Sequence, residues 1–248
     1  MLLDESDSDM VDRSKEFYTK VDKYGGWQQV PAERIHSLFL DVVKPVEMGF
    51  VLAKRGYWAR HVDADIFQVI KIDALKGGAY GLSYGLSLSY VPYPYAPKPR
   101  WHRTLKSVSL DLREQPQVHL VHTAHPTTDK ELCVASTLLG ERCFHEELES
   151  GWAICSPRIS DWFDTTRSFT GILEKCDEHL ARCESGIRYL PGARLVRAFT
   201  YAKMGRLSEA KTELETFLDE YNEGIEAKTN LYAALYRVGA NGTNLVRE

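Results

Sequence analysis

Ala79-Tyr80-Gly81-Leu82-Ser83-Tyr84-Gly85-Leu86-Ser87-Leu88-Ser89-Tyr90-Val91 is the stretch that decides the fold. Tyr80, Leu82, Tyr84, Leu86, Leu88 and Tyr90 alternate with Gly81, Ser83, Gly85, Ser87 and Ser89. Side chains on an extended strand point to opposite faces with period two. The stretch therefore reads as one long strand with an apolar face and a face almost bare of side chains. A bare face lets another element approach closely. The expectation is that the Tyr/Leu face is buried and the Gly/Ser face is packed under a helix.

Working back from this strand, Ile66 to Leu75 is mostly apolar and β-branched, as expected of a strand buried on both faces. Asp63-Ala64-Asp65 is a turn cluster, and Phe50 to Arg55 and Tyr57 to Val62 flank Gly56 as two more strands. Consecutive strands joined by short turns predict an antiparallel meander. Upstream, Pro31 suits a first helical turn, and Ile35, Leu38, Phe39, Val42, Val43 and Val46 form one apolar stripe that Pro45 should end at Lys44. Residues 1–29 read as an acidic tail followed by a short helix.

Working forward, residues 92–103 carry four prolines and cannot continue a central strand, so they read as an extended loop. Thr104 to Leu112 and Gln117 to Thr123 read as strands, Trp152 to Cys155 as a short strand, and Asp164 to about Gly186 as a helix. Beyond Pro191-Gly192 the pattern is helical only, with a capping helix over Asn230 to Val238. The fold class is α+β: a curved antiparallel sheet of four to six strands, covered by the helices at 31–44 and 164–186, with a small C-terminal helical subdomain. The expected organisation is a tail and short helix over 1–29, a sheet domain over 30–190 and a helical hairpin with its cap over 191–248.

Composition narrows the function classes. The 248 residues are 44% hydrophobic and 27% charged, as in ordinary globular proteins. The net charge of −4 speaks against a general nucleic-acid binder. No apolar run is long enough to span a bilayer, and the acidic N-terminus does not read as a signal peptide, so an intracellular, cytoplasmic protein is expected. The five cysteines (Cys133, Cys143, Cys155, Cys176 and Cys183) include no CxxC pair and read as free thiols.

Two family resemblances are carried by residues. Ala198, Tyr201, Gly205, Ala210, Leu214 and Phe217, with the turn from Met204 to Ala210, match the small and large positions of a tetratricopeptide hairpin. Residues 193–222 thus resemble one such repeat; about three are needed to bury a core, so the hairpin must lean on the rest of the protein. Separately, the helix ending in Lys44-Pro45, then Gly49-Phe50, Trp58 and the alternating Tyr/Gly strand, look like a group of uncharacterised bacterial α+β proteins of the domain-of-unknown-function kind. That resemblance covers residues 33–185, although Val46-Glu47-Met48 lengthens the expected turn. It implies the company of immunity and accessory proteins encoded beside bacterial toxins, and it transfers no catalytic set.

Four constellations are candidates for function. His119, His122 and His125 would share a face on a helix, but their apolar neighbours favour strand and loop, where His119 and His122 diverge and a shared metal is not expected. Cys143, His145, Glu146 and Glu149 lack the spacing and the oxyanion site that a nucleophile needs. Lys98, Arg100, His102, Arg103 and Lys106 interleave with Tyr93, Tyr95 and Trp101 in a basic aromatic patch. Such a patch suits a protein hot spot, a plain surface loop or, least with this net charge, a nucleic acid. The acidic run Glu209, Glu213, Glu215, Asp219, Glu220, Glu223 and Glu226 reads as a solvated helix face that would also complement a basic partner. No dinucleotide fingerprint, phosphate loop, zinc-protease or serine-elbow motif is present, and no cofactor is expected.

The reading is a non-enzymatic protein-binding module, most concretely a cytoplasmic immunity protein that occludes a toxin's active site. Tyr93, Tyr95, Arg100, Trp101 and Arg103 would make the contact, with Glu213, Asp219 and Glu220 on the acidic helix. The alternatives are an enzyme with an unrecognised histidine-based site and a scaffold that uses its tetratricopeptide-like hairpin.

Overall fold

A computed structural model describes residues 18–75, 78–94, 99–102, 104–114, 134–183, 192–221 and 225–242. The fold is α+β. Its strands are β1 (Val51–Lys54), β2 (Tyr57–His61), β3 (Ile66–Leu75), β4 (Ala79–Leu88), β5 (Pro92–Tyr93), β6 (Arg100–Trp101), β7 (Leu112–Glu114) and β8 (Val134–Ser136). A short helical segment over residues 18–23 precedes the helices α1 (Ala32–Val43), α2 (Gly140–Thr165), α3 (Phe169–Cys183), α4 (Ala193–Lys203), α5 (Leu207–Tyr221) and α6 (Ile225–Gly242). The main sheet runs in the order β1-β2-β3-β4-β7, with β8 also paired to β4, while β5 and β6 make a separate ribbon. The meander read from the turns is thus present. Among the described residues, no helix is long and apolar enough to cross a membrane.

The chain divides into two compact units that alternate along the sequence, one of residues 1–45, 72–82 and 116–156, the other of residues 46–71, 83–115 and 157–248. In the first, α1 starts after Pro31 in an extended conformation and ends at Lys44, whose left-handed backbone (φ 48°) directs its N–H to the Leu40 carbonyl. Ile35, Leu38, Phe39 and Val43 are buried as the stripe predicts. Val46 is not: it is 70% exposed, because the chain leaves the helix at Lys44 and the 3.6-residue period ends there. Antiparallel pairing of β8 with Ala79, Tyr80 and Gly81 closes this unit, and Arg34 forks onto Glu141 at 2.9 and 3.0 Å.

In the second unit, β2 pairs antiparallel with β3 in register, Trp58 opposite Ile70, and β1 completes the meander on the other side of β2. Ile66, Phe67, Gln68, Val69 and Ile70 are all buried, so β3 is covered on both faces there. Gln68 is the polar exception, and it donates to the Phe163 carbonyl and accepts from Arg60.

Three sequence expectations are corrected. Trp152 to Cys155 lies inside α2, where burial at Gly151, Cys155 and Ile159 follows a helical step of four. The helix expected over 164–186 is α3, which begins five residues later than expected because α2 runs on to Thr165 and the chain turns at Thr166-Arg167-Ser168; residues 184–186 lie outside the described residues. A side chain at Gly171 would overlap the Thr165 carbonyl, so this sharp corner needs a glycine. Thr104 to Leu112 is largely not a strand: Leu105–Ser107 is a 3₁₀ turn held by reciprocal Thr104–Ser107 hydrogen bonds, and pairing starts only at β7. The slipped alternation in the sequence marks this turn.

The alternating strand is buried on both faces, from Gly81 to Leu88. Tyr84 packs edge-on against Trp162 and Phe163 of α2, so a helix lies on the Tyr/Leu face. The Gly/Ser face is covered by backbone instead, which corrects the helix expected there. Arg113 donates to Ser83 Oγ, Ser87 Oγ accepts the Ser109 N–H, and a side chain at Gly85 would overlap the Leu112 carbonyl.

The C-terminal helices form as read. The turn at Gly205 (φ 77°) joins α4 to α5, with Ala198, Ala202, Ala210, Leu214 and Phe217 buried between them and α6 packed alongside.

Candidate functional site

The basic aromatic segment is a ribbon rather than a loose loop. In β5 and β6, Pro92 stands opposite Trp101 and Tyr93 opposite Arg100. Period-two alternation separates these pairs onto two faces. Pro92 is buried and Trp101 is half-buried, its ring edge-on to Phe199 of α4 with centroids 6.3 Å apart. Trp101 is therefore not displayed to solvent, because the hairpin helix gives it an apolar surface to cover. Tyr93 (38% exposed) and Arg100 face outward. Lys106 is also exposed, whereas Tyr95, Lys98 and Arg103 lie outside the described residues.

The residue after Trp101 anchors the ribbon from below. His102 Nδ1 donates to the Ser107 carbonyl at 2.6 Å, which leaves Nε2 facing Asp111 Oδ1 at 3.8 Å. A carbonyl only accepts, so the Nδ1 hydrogen is fixed and Nε2 is the atom that can gain or lose a proton. Asp111 is fully buried. Burial pushes its carboxyl up to about 7, against the Leu88 N–H that it accepts at 2.7 Å. Burial likewise lowers the pKa of His102. At 3.8 Å the two atoms are beyond hydrogen-bond reach, so Nε2 is a buried nitrogen with no hydrogen-bond partner among the described residues. The Asp111 N–H also bonds the Leu86 carbonyl, which fastens this segment to the end of β4.

Sequence reading missed a second buried charge cluster. Glu114 at the end of β7 accepts from His179 Nε2 at 2.6 Å and from both terminal nitrogens of Arg182 at 2.5 and 3.1 Å. Burial opposes its charge, but these partners hold its carboxyl down at about 2. The signal for both clusters was a charged residue inside an apolar alternating run, Leu110-Asp111-Leu112-Arg113-Glu114.

The three acidic candidates divide. Glu213 is almost buried and pairs with Arg197 and, at 3.7 Å, with Arg194, so it ties α5 to α4. Arg197 reaches Asp177 of α3 as well, at 2.6 Å. Glu220 pairs with Arg194 at 2.7 Å and Asp219 stays exposed, 3.7 Å from Lys228. Only these last two present charge outward. Glu209 and Glu215 are exposed as a solvated face requires, while Glu223 and the Glu226 side chain lie outside the described residues.

The remaining candidates do not converge. Cys143 is buried on α2, and burial pushes its thiol up to about 11, the opposite of nucleophile activation. His145 is 4.0 Å from Glu149 on the surface, and Glu146 is held by Tyr24, Lys23 and Arg142. Cys155 and Cys176 are buried and not in disulfides. Strand 117–123, His119, His122, His125 and Cys133 lie outside the described residues. Among the described residues, no group of three His, Cys, Asp or Glu side chains could hold a metal ion.

Comparison with family models, with curated proteins and with solved structures finds no match. The resemblance of residues 33–185 to the bacterial α+β group therefore rests on its motifs alone.

Proposed function

We propose that this protein is a non-enzymatic protein-binding module, most concretely a cytoplasmic immunity protein that occludes the active site of a cognate bacterial toxin. The observation that carries the reading is the ribbon. Trp101 fixes it on Phe199, and Tyr93 and Arg100 project from its opposite face. Tyr and Arg dominate interface energetics, and an anchored ribbon loses less freedom on docking than a loose loop. Exposed Asp219 and Glu220 add a negative surface suited to a basic partner. The experiment is co-expression with the product of a neighbouring gene that arrests growth when expressed alone. Wild type should restore growth and Tyr93→Ala with Arg100→Ala should not. Equal protection by both, or no protection by wild type, would overturn the reading.

A further inference from the structure

A cleft of about 310 Å³ lies in the second unit, among the β2–β3 turn, the end of β4, the ribbon, α4 and α6. Its functional lining is Asp65, Ser89, Tyr90, Trp101, Lys203 and Arg237. The volume is at the small end of cavities that hold organic ligands.

Each wall is fixed by an identifiable bond. Asp63 Oδ1 accepts the N–H groups of Asp65 and Ile66, which sets the turn. Asp65 Oδ1 then accepts from Ser89 Oγ at 2.5 Å, and its Oδ2 lies 2.7 Å from Lys203 Nζ. Lys203 is only 11% exposed, so its ammonium is held in place at the wall. An ammonium has three donors, and Asp65 takes one of them. The Tyr90 hydroxyl is turned away onto Thr200 Oγ1, so Tyr90 contributes an apolar ring and no proton. Trp101 is braced edge-on by Phe199 and supplies the aromatic wall. Arg237 is exposed at the rim and, among the described residues, has no ion-pair partner.

We propose that this cleft binds a small aromatic monocarboxylate, its ring against Trp101 and Tyr90 and its carboxylate between Lys203 and Arg237. Charge selects the class. Lys203 and Arg237 together outweigh Asp65 by one positive charge, which suits a monoanion. A dianion would bring its second charge toward Asp65, where no cation remains to meet it. A neutral ring keeps the stacking and forfeits the charge-assisted hydrogen bonds. Tyr93 and Arg100 are not in the lining, so this site stands or falls apart from the protein-binding reading.

The test is calorimetric titration of the full chain with 2-naphthoate, 2-naphthamide and phenyl phosphate. The expected result is a 2-naphthoate dissociation constant near or below about 1 mM, with 2-naphthamide and phenyl phosphate each at least about tenfold weaker. Arg237→Gln, an exposed substitution that should leave the melting temperature unchanged, should erase most of the advantage of naphthoate over naphthamide. Trp101→Phe should weaken both rings alike. Failure of naphthoate to bind, equal binding of naphthoate and naphthamide, preference for phenyl phosphate, or an unchanged preference in Arg237→Gln would each overturn the assignment.

Discussion

A methyl group placed on Gly85 would overlap the carbonyl oxygen of Leu112, so the backbone entering β7 runs directly over the side-chain-free position of β4. Backbone cannot swing aside as a side chain does. Gly85→Ala should therefore destabilise by at least about 1–3 kcal/mol, the cost of overpacking, and Gly85→Val by more. Leu86→Ala, on the opposite and fully buried face, should cost about 2–5 kcal/mol. Urea denaturation distinguishes the two faces, since a neutral Gly85→Ala would mean that β7 does not cross there.

Residue types and spacing made much of this legible. The alternation over 79–90, the turn at Gly56 and the Pro31-to-Lys44 helix each carry a local signal that fixes an element without tertiary help. Trp152 to Cys155 did not, because four apolar residues in a row fit strand or helix, and only the burial of Gly151, Cys155 and Ile159 decides. The Gly/Ser face announced close approach, but nothing local says whether helix or backbone approaches. Tyr93 and Arg100, expected to make a contact, face outward. Trp101, expected beside them, is half-buried against Phe199, a residue too far away in sequence to leave a local signal. Asp111, His102, Glu114 and His179 meet only through the fold, and their pairing leaves no periodic trace.

Asp111 should give the protein a pH dependence opposite to ordinary acid denaturation. Its folded carboxyl is raised to about 7 from 3.8 because it is buried. The folded state thus holds the proton more tightly than the unfolded chain. Relative stability is full below pH about 4 and falls as pH rises through about 7, by on the order of 2–4 kcal/mol. His102, held neutral by burial, contributes a slope of opposite sign below its ordinary value. The difference between wild type and Asp111→Asn in urea midpoints across pH 4 to 8 isolates the Asp111 part. That difference should shrink as pH falls, and a flat difference would refute the buried charge assignment.

Glu114 should act in the other direction. Burial opposes its ionisation, but His179 and Arg182 hold the carboxyl near 2, below its ordinary 4.5. The stabilisation is present above pH about 4.5 and disappears as pH falls toward about 2, amounting to about 3 kcal/mol at neutral pH. Glu114→Gln keeps the shape and removes the charge. It should unfold more readily at pH 7 yet approach wild type near pH 2.5, as followed by circular dichroism. Equal destabilisation at both pH values would show that packing, not charge, holds this corner.

The two faces of the ribbon should separate stability from recognition. Trp101 covers Phe199 and lines the cleft, so Trp101→Ala leaves an apolar wall uncovered and should cost about 1–3 kcal/mol in urea denaturation. Tyr93 and Arg100 point to the other side, and surface changes away from special features usually stay within about 0.5 kcal/mol. Tyr93→Ala and Arg100→Ala should leave the denaturation curve in place while each weakens the partner complex by about 2 kcal/mol, the size that defines a hot spot. Trp101→Ala would weaken it too, but only by releasing the ribbon. Trp101→Phe, which keeps an aromatic edge on Phe199, should therefore bind nearly as wild type does. If Trp101→Phe loses the partner while Tyr93→Ala and Arg100→Ala keep it, the inward face of the ribbon is the recognition surface and the outward one is bare exterior.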